Sequence, residues 1–451
     1  MVYMLLAAAL LATDPIDDAV ARVSARRCRE TVDHLVSFGT RHTLSDRTSP
    51  TRGVLAAANW IKGELVIAAA GSGGRMSVSI EEFGVPPGTV RMPKGGTITN
   101  VVAVLEGSAP DAKERRYYLV GHFDSMCGDV MNPDADAPGA NDDASGTTVV
   151  MEGARVLAQS HPEATIVFLC TSGEEQGLLG AKLHAEKARA AGVKILGVLN
   201  NDIVGDPWGT MHPLLTGKPA PAEMGSYVRV FSEGVPRNPN AEQLAQIRSL
   251  AGEMDSPSRQ LARFVNEVGT RHNLTIKPKL VFRLDRFLRG GDHTAFLEAG
   301  YPAVRFSSPN EDYARQHQNV SEIEVNGRKI RIGDLPEFVD EEYLAGVTRL
   351  NVAAMVALAN APSPPANVRL VTAKLTTDAT LRWEASPESD TAGYEVVWRD
   401  TTSPVWTGVR DAANATTLTL PFSKDDVFFG VRSYDRDGNR SPVVFAGAAK
   451  E

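Results

Sequence analysis

Cysteine is scarce in this chain: among 451 residues there are 3, Cys28, Cys127 and Cys170, widely spaced and odd in number. That pattern gives neither a disulfide framework nor a paired-cysteine zinc site, although one bridge with a free thiol stays open. No basic run is present either. Lys and Arg number 47 against 55 Asp and Glu, for a net charge of -8, so the clustered positive charge that neutralises phosphates is missing and nucleic acid is not an expected partner. Long apolar stretches are absent beyond the first twelve residues, MVYMLLAAALLA. That run falls short of the roughly 20 apolar residues a spanning helix needs, so no stable membrane insertion is expected. It lacks a basic flank, but its apolar run followed by small residues reads as a signal peptide over residues 1–14. Secretion or a periplasmic location is the corresponding expectation.

What remains is an ordinary globular composition, 43% hydrophobic and 23% charged, long enough for two or three domains. Residues 15–36 and 53–68 carry helical spacing of apolar residues. The runs MSVSIEEF, TNVVAVLEG and RRYYLVGHFDS then read as strands. From there helices and strands alternate: DASGTTVVMEGARVLAQS, ATIVFLCTSGEE, GLLGAKLHAEKARAAG and KILGVLNNDIVG. This alternation predicts an α/β domain with a mixed, largely parallel sheet flanked by helices. Residues 206–225, rich in Pro and Gly, read as irregular, and residues 241–269 return to helical spacing. GGDHTAFLEAGYPAVRFSS reads as loop, helix and strand, and EEYLAGVTRLNVAAMVALAN closes the domain near residue 360. Residues 361–366 read as a linker. Short alternating segments over 367–451, from VRLVTA to VFFGVRSYD, predict a small all-β sandwich. Trp383 in an early strand and Tyr434 in a late one give it a resemblance to a fibronectin type III module. Such a module is expected to bind a surface or polymer, or to add stability. With a core of its own it should be dispensable, leaving residues up to about 360 able to catalyse if they fold alone.

Polar clusters fall at strand ends: GHFDS with His122 and Asp124, GANDDASG with Asp142 and Asp143, SGEEQG with Glu174 and Glu175, and LNND with Asp202. GGDH, with Asp292 and His293, follows later. In open α/β sheets the loops after the strands' carboxyl ends converge, so these clusters are expected to share one site. Histidine nitrogens and carboxylate oxygens suit zinc, and two histidines with three carboxylates suffice for two ions if one carboxylate bridges. A two-metal site of this kind performs hydrolysis.

In this order, GHFDS, NDDASG, GEEQGLLG, NND and DH resemble the bacterial zinc aminopeptidases, relatives of glutamate carboxypeptidases, glutaminyl cyclases and the transferrin receptor; the resemblance spans roughly residues 30–360. It implies two zinc ions held by His122, Asp142, Glu175, Asp202 and His293, with Asp142 bridging and the Asp142–Asp143 peptide cis. It further implies Glu174 as general base, Asp124 orienting His122, and release of N-terminal residues from a peptide or protein substrate. A carboxypeptidase or dipeptidase on the same metals, or an inactive binding protein on a peptidase fold, are the competing readings.

Each residue alone has an ordinary explanation. Asp142 and Asp143 suit a helix N-cap, Glu174 and Glu175 a helix start, Asp202 a turn. Only the joint order points to a metal site. His317, in EDYARQHQNVSE, falls where relatives carry a histidine near the substrate carbonyl and is expected to bind substrate, although its surroundings depart from their histidine-threonine pattern. His161, His184 and His212 read as surface or loop residues. Asp292 reads equally as a support for His293 or a plain turn residue. Arg283, Asp285 and Arg286 read as a surface ion cluster, with a substrate pocket as the alternative.

Overall fold

The computed structural model describes residues 14–449 apart from 210–212, 214–215, 238, 326 and 374–375. The apolar segment read as a signal peptide and His212 lie outside the described residues. The chain opens with helices α1 (Pro15–Ala21), α2 (Ala25–Ser37) and α3 (Val54–Ala70). Asp14 caps α1 at Ile16 N, and Ser24 caps α2 at Arg27 N, which divides the helical spacing of 15–36 into two helices. Strands β1 (Met76–Val85), β2 (Gly96–Leu105) and β3 (Arg116–His122) follow. Next come α4 (Ala144–Leu157), β4 (Thr165–Thr171), α5 (Leu179–Ala190), β5 (Gly197–Asn201) and β6 (Tyr227–Ser232).

Helical spacing over 241–269 resolves into α6 (Ala241–Ser249) and α7 (Pro257–Arg271), because Ser256 caps at Arg259 N and Pro257 starts a new helix. The remainder of this part is β7 (Lys277–Val281), α8 (His293–Glu298), β8 (Ala303–Ser307), the hairpin β9 (Ser321–Val325) with β10 (Arg328–Ile332), and α9 (Glu341–Asn360). Eight of these strands form a sheet in the order β1-β2-β4-β3-β5-β8-β6-β7. The central run β4-β3-β5-β8 is parallel, as is β6 with β7, while β1, β2 and the β6–β8 pairing are antiparallel. Strands β6 and β7 escape the sequence reading. Pro278 and two lysines in KPKLV mark an edge strand rather than a buried one.

Period-two alternation divides the core. Tyr117, Leu119, Ile166 and Phe168 face a layer built on α2, α3, α4, α7 and α9, whereas Tyr118, Val120, Val167 and Leu169 face α5 and α8. The central strands are therefore apolar on both faces and read as continuous apolar runs. All four parallel strands point the same way, so their carboxyl ends deliver His122, Glu174, Glu175 and Asp202 to one edge. Gly121 and Gly146 bring that edge close to α4, since a Cβ on Gly121 would lie 2.6 Å from the Gly146 carbonyl carbon.

Residues 366–449 form two four-stranded sheets, β15-β12-β11-β18 and β14-β13-β16-β17. Their strands are β11 (Ala366–Val371), β12 (Ala379–Glu384), β13 (Thr391–Asp400), β14 (Gly408–Ala413), β15 (Thr417–Leu420), β16 (Val427–Asp435), β17 (Val444–Phe445) and β18 (Gly447–Ala449). Their core of Trp383, Tyr394, Val396, Phe429 and Val431 is separate from the cores of the α/β part. The faces between the two parts are nevertheless bonded. Asp255, just before α7, accepts from Arg263 Nη1 at 3.0 Å and from Arg399 Nη2 on β13 at 2.6 Å, and all three side chains are buried. Trp406 Nε1 donates to Gln260, Arg263 Nε to the Pro404 carbonyl, and Arg432 to Glu267. An apolar groove beside this contact is lined by Tyr117, Leu196 and Pro302 from the amino ends of β3, β5 and β8, together with Val444 and Phe445 of the sandwich. The sandwich therefore sits at the amino-terminal edge of the sheet. No helix among the described residues is long and apolar enough to cross a membrane.

Candidate metal centre

His122 is the last residue of β3, and its imidazole is fully enclosed. Its Nδ1 donates to the Asp124 carbonyl at 3.1 Å with the Asp124 carboxylate 3.4 Å away, a pairing that fixes the tautomer and leaves Nε2 facing the site. The Asp124 carboxylate is held in turn. It accepts from Thr43 Oγ1 at 2.9 Å and from the amides of Glu174 and Glu175 at 3.3 and 3.2 Å. One buried carboxylate thus orients His122 and anchors the loop carrying both glutamates.

The adjacent aspartates divide their roles across a cis peptide bond. Asp143 is the N-cap of α4, accepting from Gly146 N at 2.9 Å, and also receives the amides of His122 and Ile203. Capping and site-facing roles are both present, one on each residue. Asp142 Oδ1 lies 3.2 Å from His122 Nε2, while Oδ2 lies 2.8 Å from His317 Nε2 and accepts from Gln316 at 2.7 Å. Amides of Asn141 and Asp142 donate to the buried Asp334 carboxylate, which sets the loop.

Two groups of three side chains result, each with its ligand atoms within 4.8 Å of one another: His122, Glu174 and Asp202, and Asp142, Glu175 and His317. His317, expected only to bind substrate, stands in the second group, with Nε2 3.1 Å from Glu175 Oε1. His293, expected there, does not. Its Nε2 donates to the Leu284 carbonyl at 3.0 Å, with Asp285 at 3.6 Å, because residue 293 begins α8 and its ring turns into the 284–290 loop. The signal for His317 lay in the rule that found the other residues. It follows the carboxyl end of β8, whereas His293 precedes that strand.

The groups are arranged for a cation. His122 Nε2, Glu175 Oε1 and His317 Nε2 are buried without a hydrogen-bond partner, although other ligand atoms lie within 3.2 Å of each. Buried polar atoms are rarely left so unless another group satisfies them. Burial opposes charge on His122, yet Asp143, Asp124 and Asp142 hold its pKa well above the usual imidazole range. Burial also opposes charge on His317, but Glu175 and Asp142 raise it to about 11. The Glu174 carboxyl is pushed well up by burial, with His122 pulling it down and Glu175, Asp202 and Asp292 adding to the rise. Asp142 moves the other way, because His317 and His122 outweigh its burial.

Three supporting residues carry no motif that singles them out. Arg305 on β8 is fully buried, pairs with Asp202 at 2.7 Å and Asp285 at 3.1 Å, and bonds the Gly290 carbonyl. Arg41, also fully buried, donates to the carbonyls of Phe123, Leu35, Pro138 and Gly139, tying α2 to both the His122–Asp124 and Asp142 loops. Gln316 positions Asp142 as described. Asp292 accepts from Thr171 Oγ1, and burial lifts its carboxyl to about 7. Asp285 is buried and joins Arg305 to Arg286, while Arg283 is exposed over the Phe287 ring. The expected surface ion cluster is therefore in part a buried network behind Asp202. His184 lies between Tyr118 and Phe296 with Nδ1 2.6 Å from Glu81, so it is buried rather than a surface residue.

Residues 100–330 match the model of peptidase family M28. A probable zinc metalloprotease of Leptosphaeria maculans is 43% identical over 96% of this chain and 96% of its own length. Another, of Pyricularia oryzae, is 46% identical over 94% of this chain and 83% of its own. These relatives are fungal, whereas the sequence resemblance was to bacterial enzymes. Among solved structures, the LapA aminopeptidase of Legionella pneumophila superposes with a TM-score of 0.51 at 19% identity, covering 76% of this chain and 74% of its own. LapB of the same organism gives the same score and coverage. Both show a shared fold. With the family model spanning half of the chain and relatives above 40% identity along nearly all of it, the chain belongs to peptidase family M28.

Proposed function

We propose that this protein is a two-zinc aminopeptidase that releases N-terminal residues from peptides. The observation that carries the reading is Asp142, whose two oxygens face His122 Nε2 and His317 Nε2 and so link the two ligand groups. His122 and Asp202 would hold one ion, Glu175 and His317 the other, with Asp142 shared. Borderline nitrogen and oxygen donors of this kind suit zinc, the metal in the names of the fungal relatives. Zinc bound there supplies a polarised carbonyl and a water of lowered pKa.

The chain's own residues supply the remaining chemistry. Glu174 projects from the loop after β4 into the cleft, beside Asp142 and Asp202, and accepts the proton of the attacking water. It then returns that proton to the leaving amine. Asp124 keeps Glu174 and Glu175 in register through their amides, so one side chain handles protons while its neighbour binds metal. Burial raises the Asp202 carboxyl above its usual range, and Arg305, 2.7 Å away, offsets part of that rise. The apolar segment MVYMLLAAALLA supports export of the protein.

Elemental analysis of the purified protein should find two zinc ions per chain. Amino-acid p-nitroanilides should be hydrolysed and N-blocked analogues spared, with activity lost to a chelator and restored by zinc. Glu174→Gln should lower kcat by about 10²–10⁴-fold with the zinc content unchanged. Undiminished turnover in that variant removes Glu174 as the base, and cleavage of blocked substrates removes the aminopeptidase direction.

A further inference from the structure

Above the two ligand groups lies a cleft of about 380 Å³ whose walls carry three arginines, Arg91, Arg286 and Arg289. Their charges are not equivalent. Arg286 is spent within the protein, on Asp285 and Glu311. Arg91 gives Nη1 to the Glu175 carbonyl at 2.6 Å, and Arg289 rests over the Tyr313 ring at 5.1 Å. Among the described residues neither has a carboxylate partner, so two guanidiniums keep most of their donors and all of their charge for the cleft.

The flanking residues are apolar and open to solvent. Val90 precedes Arg91, and Phe287 and Leu288 precede Arg289, exposed by 94%, 78% and 103%. Leu288 has φ of +58°, a left-handed conformation that side-chain-bearing residues seldom adopt and that recurs at ligand-binding sites. Apolar surface alternating with unpaired guanidinium suits the aliphatic stem and carboxylate of an acidic group, since Arg recognises carboxylate with paired, charge-assisted hydrogen bonds.

Resting on the peptidase reading above, we infer that Arg91 and Arg289 recognise a carboxylate beside the scissile bond, so the substrates are peptides carrying a negative charge at that position. Its source is an acidic side chain or a free C-terminal carboxylate. An ammonium beside Arg91 and Arg289 would meet two like charges, although Asp142, Glu174, Glu175 and Asp202 line the same cleft.

The test uses the zinc-loaded full chain on two matched pairs: glutamyl against glutaminyl p-nitroanilide, and Leu-Leu against Leu-Leu-amide. At least one pair should show a kcat/KM preference of about tenfold for the charged member. A preference in the first assigns the acidic side chain, in the second the terminal carboxylate. Arg289→Gln should bring that ratio to near one, and Arg289→Glu should invert it. Rising salt should compress the ratio in the unmodified protein, which needs no variant to fold. Chelator-sensitive hydrolysis of all four compounds without preference overturns the carboxylate site and leaves the peptidase reading standing. Absence of chelator-sensitive hydrolysis of any of them overturns both.

Discussion

Replacing Asp255 by alanine should loosen the whole molecule even though the residue is remote from the cleft. Its carboxylate accepts from Gln260 Nε2 at 3.0 Å, Arg263 Nη1 at 3.0 Å and Arg399 Nη2 at 2.6 Å, and the arginine side chains are exposed by only 3% and 2%. Both guanidiniums also stack near the Trp406 ring, at 5.8 and 5.3 Å. Asp255→Ala removes the one carboxylate they share and leaves two cations buried together. Removal of one side of a buried ion pair costs about 3–5 kcal/mol, a large part of the ~5–15 kcal/mol that holds a typical domain folded. Urea unfolding followed by tryptophan fluorescence is the assay, since Trp406 lies in the contact. Asp255→Ala combined with Arg399→Met should recover part of the loss by removing one orphaned charge. Glu114→Ala, which breaks the exposed pair with Lys194, serves as the control at under about 1 kcal/mol. A loss below about 1 kcal/mol for Asp255→Ala would show that the two parts are merely adjacent. Truncation near residue 360 exposes the same Asp255 and Arg263, so a shortened protein should be less stable than its separate core suggests.

Other substitutions report on the centre itself. His317→Ala should lower bound zinc from two ions to one per chain, while His293→Ala should keep both and lose stability, as elemental analysis and thermal unfolding would reveal; the opposite pattern restores His293 as the ligand. Arg41→Lys cannot reproduce four carbonyl bonds with one ammonium, and about 2–4 kcal/mol of stability should be lost together with zinc affinity; unchanged zinc titrations would limit Arg41 to packing. Glu81 gives a pH signature away from the metals. Burial opposes its charge, but His184 and Lys187 hold its pKa at about 2 against 4.5 in the unfolded chain. Its stabilisation is full above the unfolded value and is lost as pH falls toward 2. The stability gap between the protein and Glu81→Gln should therefore close across that window, and a gap undiminished at its acidic end would refute the pairing.

Much of the site was legible because its residues follow strands that were themselves legible. Apolar runs ending in GHFDS, TSGEE and LNND mark β3, β4 and β5, and the convergence of parallel strand ends did the rest. His293 was singled out because DH matched a motif order, while its backbone position, at the start of a helix before β8, gives its ring another neighbour, the Leu284 carbonyl. The supporting residues were hidden for a different reason. Arg41 and Arg305 sit in SFGTRHT and PAVRFSS, where an arginine normally denotes solvent; only the tertiary arrangement brings carbonyls or carboxylates around it. Asp255 is equally ordinary in MDSPS, and its partner Arg399 comes 144 residues later.

The seat of the β-sandwich at the amino ends of the strands places it behind the chemistry. β3 alone, from Arg116 to His122, is 7 residues long, about 23 Å at roughly 3.3 Å per residue. The sandwich is therefore set off from the cleft by at least about that length, on the opposite edge of the sheet. The residues that line the cleft all belong to the α/β part, so its mouth is framed without the sandwich.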